Sequence, residues 1–198
     1  MTTANKITIG RILLVPLFVV SALYYMAGQG ELYRYLAVFA FGVAALSDGV
    51  DGYIARRFNQ RSELGAILDP LADKLLLVSA IVLLSLHQDG NLPGLPLHLT
   101  VTVISRDILL LMGMLVLRYL RVAVTVMPHW TGKVATVFQM ACVLWALLKI
   151  DLLLGLDWLG GVAFGATLFT GISGMFYVAA WVQQLSRHPA SSPSRVEE

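Results

Sequence analysis

Two pairs of aspartates stand out by their spacing in the run from Ser47 to Lys74, SDGVDGYIARRFNQRSELGAILDPLADK. Asp48 and Asp51 lie three apart and Asp69 and Asp73 four apart, so on helices each pair would share one face. The sequence on either side is strongly apolar. A carboxylate inside hydrocarbon costs on the order of 2.5 to 3.5 kcal/mol even on lenient insertion scales, so four of them require a compensating partner. Like charges at contact distance force protonation or recruit cations. All-oxygen donors suit Mg2+ or Mn2+, and four carboxylates are about right for two such ions, with water and phosphate oxygens completing the shells.

Small residues separate the acids. Gly49, Gly52, Ala55 and Gly65 keep side chains away from the faces that carry the aspartates. A glycine inside a helix costs roughly 1 kcal/mol against alanine, which either close helix packing in a membrane or close approach of a ligand would offset. Arg56 follows directly and is suited to bidentate phosphate contact, whereas Arg57 and Arg61 read as membrane-boundary residues. Two cations, an arginine and bare backbone describe a diphosphate site at the depth of lipid headgroups, and a nucleotide-activated lipid fits both requirements.

The elements that must hold such a site follow from composition. Of 198 residues, 58% are hydrophobic and 13% charged, with a mean hydropathy of +0.76, which is too apolar for a soluble domain. Six apolar stretches at about 7–27, 33–55, 66–87, 97–118, 131–150 and 158–184 have roughly the 20-residue length that a bilayer demands of a helix. The expected fold is therefore all-α, a polytopic membrane protein of six transmembrane helices. GQGE at 28–31, HQDGNLPGLP at 87–96 and DLLLGLDW at 151–158 read as connections. Residues 1–186 read as one transmembrane catalytic domain, and 187–198, RHPASSPSRVEE, as a polar, disordered cytoplasmic tail.

Lys6 and Arg11 ahead of an apolar run, with YYMAG as a loose cleavage site after it, give only the outline of a signal peptide, and the segment is expected to be kept. Nothing like a transit peptide precedes it, which points to a bacterial-type plasma membrane. Cys142 is alone, so no disulfide framework is expected. Lys6, Arg11, Arg56, Arg57, Arg61, Arg118, Arg121, Lys133, Arg187 and Arg195 would gather on one side, against Arg34 and Lys149 on the other. That asymmetry puts both termini and the aspartates' end of the molecule on the cytoplasmic side. The net charge of +2 gives no sign of nucleic-acid binding; the basic residues form a collar for anionic membrane lipids.

Asp48, Asp51, Gly52, Ala55 and Arg56, then Gly65, Asp69 and Asp73 at their spacings, resemble the complete signature of the CDP-alcohol phosphatidyltransferases, DxxDGxxARx8GxxxDxxxD. The resemblance implies a six-helix membrane fold, a homodimer, dependence on Mg2+ or Mn2+ (two ions), and transfer of a phosphatidyl group from CDP-diacylglycerol with release of CMP. It implies that Asp48, Asp51, Asp69 and Asp73 are the metal set, and that Gly52, Ala55, Arg56, Ser62 and Gly65 border the CDP-lipid. It further implies that Asp73 is the general base. A carboxylate shared between two cations is a poor base, so Asp73 would have to be the least metal-bound of the four.

The acceptor is read from the second half of the chain. Arg106 and Asp107 lie inside the fourth stretch, and neighbours on a helix do not face one another, so each is expected to need its own partner. Lys133, Thr136 and Gln139 share a face of the fifth. ISRD with the next arginine at Arg118, and Lys-x-x-Thr-x-x-Gln at 133–139, resemble the cardiolipin synthases of the eukaryotic type, while the related phosphatidylglycerophosphate synthases show Arg-Glu, a nearer second arginine and Lys-x-Lys-Thr. Ala135 stands where the latter have their second lysine. Arg106 and Lys133 are thus the expected acceptor-binding residues, with phosphatidylglycerol as the expected acceptor, cardiolipin as the product, and glycerol 3-phosphate as the alternative acceptor. A divalent-cation transporter is the reading from another class, but it needs acids along the full depth of the bilayer, and the outer halves of the stretches are almost free of them.

Overall fold

The computed structural model describes residues 3–58, 63–86, 92–119, 130–155 and 158–187, with the side chains of 3–8, 48–58, 63–71, 73, 118, 185 and 187 outside the description. The chain folds into α1 (Thr3–Met26), α2 (Glu31–Phe58), α3 (Glu63–Leu86), α4 (Leu97–Tyr119), α5 (Trp130–Leu148), the short α6 (Ile150–Leu154) and α7 (Leu159–Arg187). The six long helices lie where the six apolar stretches predict them, and no strand occurs among the described residues. Among the described residues four of them are long and apolar enough to cross a membrane, at Ile9–Met26, Leu97–Leu117, Trp130–Leu148 and Leu159–Gln184; the apolar part of α3 described is shorter, Lys74–Leu86. The protein is an all-α, multi-pass membrane protein.

Breaks between helices have local causes. Gly28 and Gly30, at φ 80° and 107°, turn the chain between α1 and α2 in a region of backbone space that other residues avoid. The predicted fifth stretch, 131–150, instead ends at Lys149, which adopts the left-handed conformation at φ 55°. The connection at 151–158 then contains a turn of helix that hydropathy alone did not reveal. Asp151 explains it. Its carboxylate accepts from Trp145 Nε1 at 2.7 Å and from the amides of Trp158 and Leu159, each at 3.3 Å, so it ties α5 to the opening of α7 and satisfies amides that a helix start leaves free.

Packing divides the helices into two groups. α1 lies against α2 and α3, while α7 lies against α4 and α5; α3 touches α4 and α5, and α2 touches α5, joining the groups. The seams are made by small residues. Ala37, Ala40 and Ala44 of α2, Ala80 of α3, Ala146 of α5 and Ala163 and Ala166 of α7 are all fully buried. In lipid there is no hydrophobic drive between helices, so close backbone approach and dispersion contacts must hold them. Aromatic pairs add to the seams, Phe18 on Phe41 at 5.7 Å and Phe138 on Phe169 at 5.4 Å. Leu13, Leu17 and Val20 of α1 and Leu111, Met112 and Leu115 of α4 face outward, as hydrocarbon permits.

Candidate functional site

The backbone carries Asp48, Asp51, Gly52, Ala55 and Arg56 on the later part of α2 and Gly65, Asp69 and Asp73 on the first part of α3. These two helices touch. The expected donor set would be entirely carboxylate oxygen from two contacting helices, which is the chemistry that hard divalent cations accept. The side chains of these residues, and Ser62 altogether, lie outside the described residues. Among the described residues no three His, Cys, Asp or Glu side chains converge. Ala72, next to Asp73, is fully buried, while Lys74 is exposed, which fixes how α3 is rotated at this point.

Lys74 leads directly to the α4 charges. Its ammonium forms an ion pair with Asp107 Oδ1, and the same oxygen accepts from Arg106 Nη1 at 2.9 Å. The expectation that Arg106 and Asp107 need separate partners is corrected here. The long guanidinium reaches round to its neighbour's carboxylate, and Asp107 becomes the shared anion of two cations from different helices. Arg106 Nη2 also reaches Ser173 Oγ at 3.4 Å, and the guanidinium lies 5.7 Å from the centre of the Tyr177 ring. Space for it depends on glycine, because a Cβ on Gly132 would stand 3.1 Å from Arg106 Nη2 and 3.3 Å from Ser173 Oγ. The stem of Arg106 also borders an apolar cleft of about 530 Å3 between α4 and α7, lined by Val101, Leu109, Gly171, Gly174 and Met175.

Lys133 follows Gly132 on α5 and is exposed. Thr136 and Gln139, predicted on the same face, are held within the protein. Thr136 donates to Gly132 O at 3.1 Å, and buried Gln139 donates to Thr170 Oγ1 at 2.8 Å. Ala135 is 1% exposed, so that position belongs to the α5 packing surface. Lys74 was missed by sequence reasoning. A signal was present, since Lys74 has no acid three or four residues away on its own helix, with Leu71, Pro70, Leu77 and Val78 at those places. An unpaired cation at the start of an apolar run must find its anion on another helix.

At the other end of α2, ~25 Å from Asp48 along the helix axis, a second polar group joins α1, α2 and α5. Glu31 accepts from Arg34 Nε at 2.5 Å, from Lys149 Nζ at 3.3 Å and from Tyr25 Oη at 3.2 Å. Arg34 also donates to Leu147 O at 3.1 Å. The Arg34 hydrogen bond holds the Glu31 carboxyl below its ordinary value, with Lys149 and Tyr25 adding to the effect against a desolvation that opposes it. Lys149 is held above its ordinary value by its hydrogen bond with Tyr25 and then by Glu31, again against desolvation. This group clamps helix ends and holds the strained Lys149 in place.

The model of the CDP-alcohol phosphatidyltransferase family matches residues 1–182, and the chain belongs to that family. It is a membrane-embedded phosphotransferase acting on CDP-activated alcohols. Among its relatives, a protein of Mycobacterium tuberculosis named "Probable phosphatidylglycerophosphate synthase" is 34% identical over 177 residues, covering 89% of this chain and 79% of that protein. An Escherichia coli protein named CDP-diacylglycerol–glycerol-3-phosphate 3-phosphatidyltransferase is 36% identical over 141 residues, covering 71% of this chain and 74% of that protein. These relatives overturn the expected choice of phosphatidylglycerol as acceptor and cardiolipin as product. The expectation rested on a count of cations on α4 and α5 alone, and Lys74 of α3 also reaches Asp107.

Proposed function

We propose that this protein transfers the phosphatidyl group of CDP-diacylglycerol to a hydroxyl of glycerol 3-phosphate, forming phosphatidylglycerophosphate and releasing CMP. The similarity to relatives whose names carry that acceptor or product, over 71% to 89% of the chain, supports this reading most directly. The acceptor hydroxyl attacks the lipid-side phosphorus in line; an O–P bond forms, the phosphoanhydride bond to CMP breaks, and the hydroxyl proton passes to a base, Asp73. Asp48, Asp51, Asp69 and Asp73 would hold Mg2+ or Mn2+, which when bound neutralises the diphosphate and the charge developing on CMP. Gly52, Ala55, Ser62 and Gly65 would leave room for the nucleotide, with Arg56 on its phosphates. Arg106 and Lys133 remain the proposed acceptor residues from α4 and α5.

In this reading α2 and α3 also cross the membrane, giving six spans in a bacterial-type plasma membrane, with the aspartates and both termini on the cytoplasmic side. Residues 1–186 form the catalytic domain, 187–198 a cytoplasmic tail, and the working unit is a homodimer. The test is CMP release by the purified protein in mixed micelles, given CDP-diacylglycerol and either glycerol 3-phosphate or phosphatidylglycerol. Glycerol 3-phosphate should be preferred by tenfold or more, equivalent to about 1.4 kcal/mol in the transition state. Chelation should abolish release, and Mg2+ or Mn2+ should restore it. Undiminished release in chelator, or preference for phosphatidylglycerol, would refute the proposal.

A further inference from the structure

The geometry points to Lys74 as the second cation of the acceptor site. Lys74 and Arg106 together bind the phosphate of the acceptor, and Asp107 is the internal counterion that holds the two cations before the acceptor arrives. This rests on the proposed use of a phosphorylated acceptor and extends it to a residue outside the family signature.

Four observations carry the inference. Lys74 and Arg106 meet on a single oxygen, Asp107 Oδ1, and among the described residues Asp107 is the one carboxylate paired with either. Among the described residues two cations share one anion, which leaves a positive charge that a bound anion would balance. Arg106 Nε is buried with no hydrogen-bond partner among the described residues, so a donor is left over at the same place. A cavity of about 20 Å3 bounded by Lys74, Arg106, Asp107, Thr136 and Gln139 has room for one water or one phosphate oxygen.

The two cations differ in mobility. The Arg106 side chain is 12% exposed and pinned by Ser173 and Tyr177, whereas that of Lys74 is 46% exposed. Lysine carries three donors on a flexible stem, so Lys74 can pass from Asp107 to an arriving phosphate while Arg106 stays fixed. Position gives the exchange its purpose. Lys74 follows Asp73 on α3, and although successive positions on a helix point in different directions, a phosphate held on the long lysine stem keeps the acceptor at the level of the proposed base along the helix.

Kinetics with the purified protein and Mg2+ test this. Lys74→Met should raise KM for glycerol 3-phosphate about tenfold or more, leave KM for CDP-diacylglycerol within about twofold, and raise the inhibition constant of inorganic phosphate by a similar factor. Lys74→Arg should recover most of the loss. A fall in kcat with KM for glycerol 3-phosphate unchanged, an equal rise in both KM values, or no recovery in Lys74→Arg would overturn the assignment. A second measurement needs no variant. Reductive methylation of the unmodified protein, mapped by mass spectrometry, should be slowed at Lys74 by glycerol 3-phosphate and by inorganic phosphate, and unchanged labelling would equally overturn it. An unmodified protein inert towards glycerol 3-phosphate refutes the proposed function instead; protection of Lys74 by inorganic phosphate then still decides whether the pair binds phosphate.

Discussion

Adding one methyl group at Gly113 tests how the α4–α7 seam supports the acceptor side of the site. A Cβ built there would stand 2.2, 2.3 and 2.4 Å from three carbons of the Trp181 ring. Carbon atoms rest at about 3.5–4.0 Å, so the ring or the helix must retreat by more than about 1 Å. Trp181 is a rigid bicycle packed between helices, and overpacking of this kind costs about 1–3 kcal/mol. Replacing a mid-helix glycine by alanine returns roughly 1 kcal/mol of helix propensity, leaving Gly113→Ala destabilised by about 0–2 kcal/mol. At roughly 2–4 °C per kcal/mol for a chain of this size, the melting temperature in detergent should fall by a few degrees. The effect should reach the site. Arg106 lies two turns before Gly113 on α4, and its 3.4 Å contact with Ser173 of α7 is already at the limit of a hydrogen bond. A seam wedged open at Trp181 should break that contact and raise KM for the acceptor more than for CDP-diacylglycerol. Trp181→Leu in the same chain removes the wedge and should restore both melting temperature and KM. Melting curves and CMP-release kinetics of the two variants provide the assay. If Gly113→Ala keeps the parent's KM for the acceptor, the seam does not constrain Arg106 and the reasoning fails.

Other residues make separate demands. Ala135→Lys buries an ammonium on the α5 packing surface, so it should lower the melting temperature by several degrees without improving use of glycerol 3-phosphate; a stable variant with lower KM would show that the position opens to the acceptor. Asp51→Asn and Asp69→Asn should abolish CMP release yet insert normally, because an amide is less costly in a bilayer than a carboxylate; membrane fractionation and activity measured together check this. Glu31 is held below its ordinary value, so its contribution to stability is present above the unfolded carboxyl pKa near 4.5 and is lost as pH falls through the lower folded value. Lys149 is raised, so its contribution is present below the unfolded value of 10.5 and is lost as pH rises through the higher folded value. Glu31→Gln should therefore lower the melting temperature at pH 7, with an effect that shrinks as pH falls below the unfolded value and disappears below the lower folded one; an effect independent of pH would show that the Glu31 contacts contribute no charge.

Apolar length by itself placed the six long helices, because only helices satisfy the backbone in lipid and their length is set by bilayer thickness. The spacing of Asp48, Asp51, Asp69 and Asp73 with Gly52, Ala55, Arg56 and Gly65 defined the family, because those residues act within one helix or across one short link, where spacing in sequence translates into spacing in space. The turn of helix at Ile150–Leu154 escaped, since what holds it is the set of hydrogen bonds to Asp151 from Trp145, Trp158 and Leu159, and hydropathy does not register them. The acceptor was misread for a related reason. Arg106 and Asp107 are adjacent in sequence, yet Lys74, the second cation on Asp107, comes from another helix, and Gly132 and Ser173 that accommodate Arg106 come from two more. Which cations meet at one carboxylate depends on how α3, α4, α5 and α7 are rotated against one another. That rotation is set by the packing of buried small residues between helices, which a linear pattern of charges does not encode.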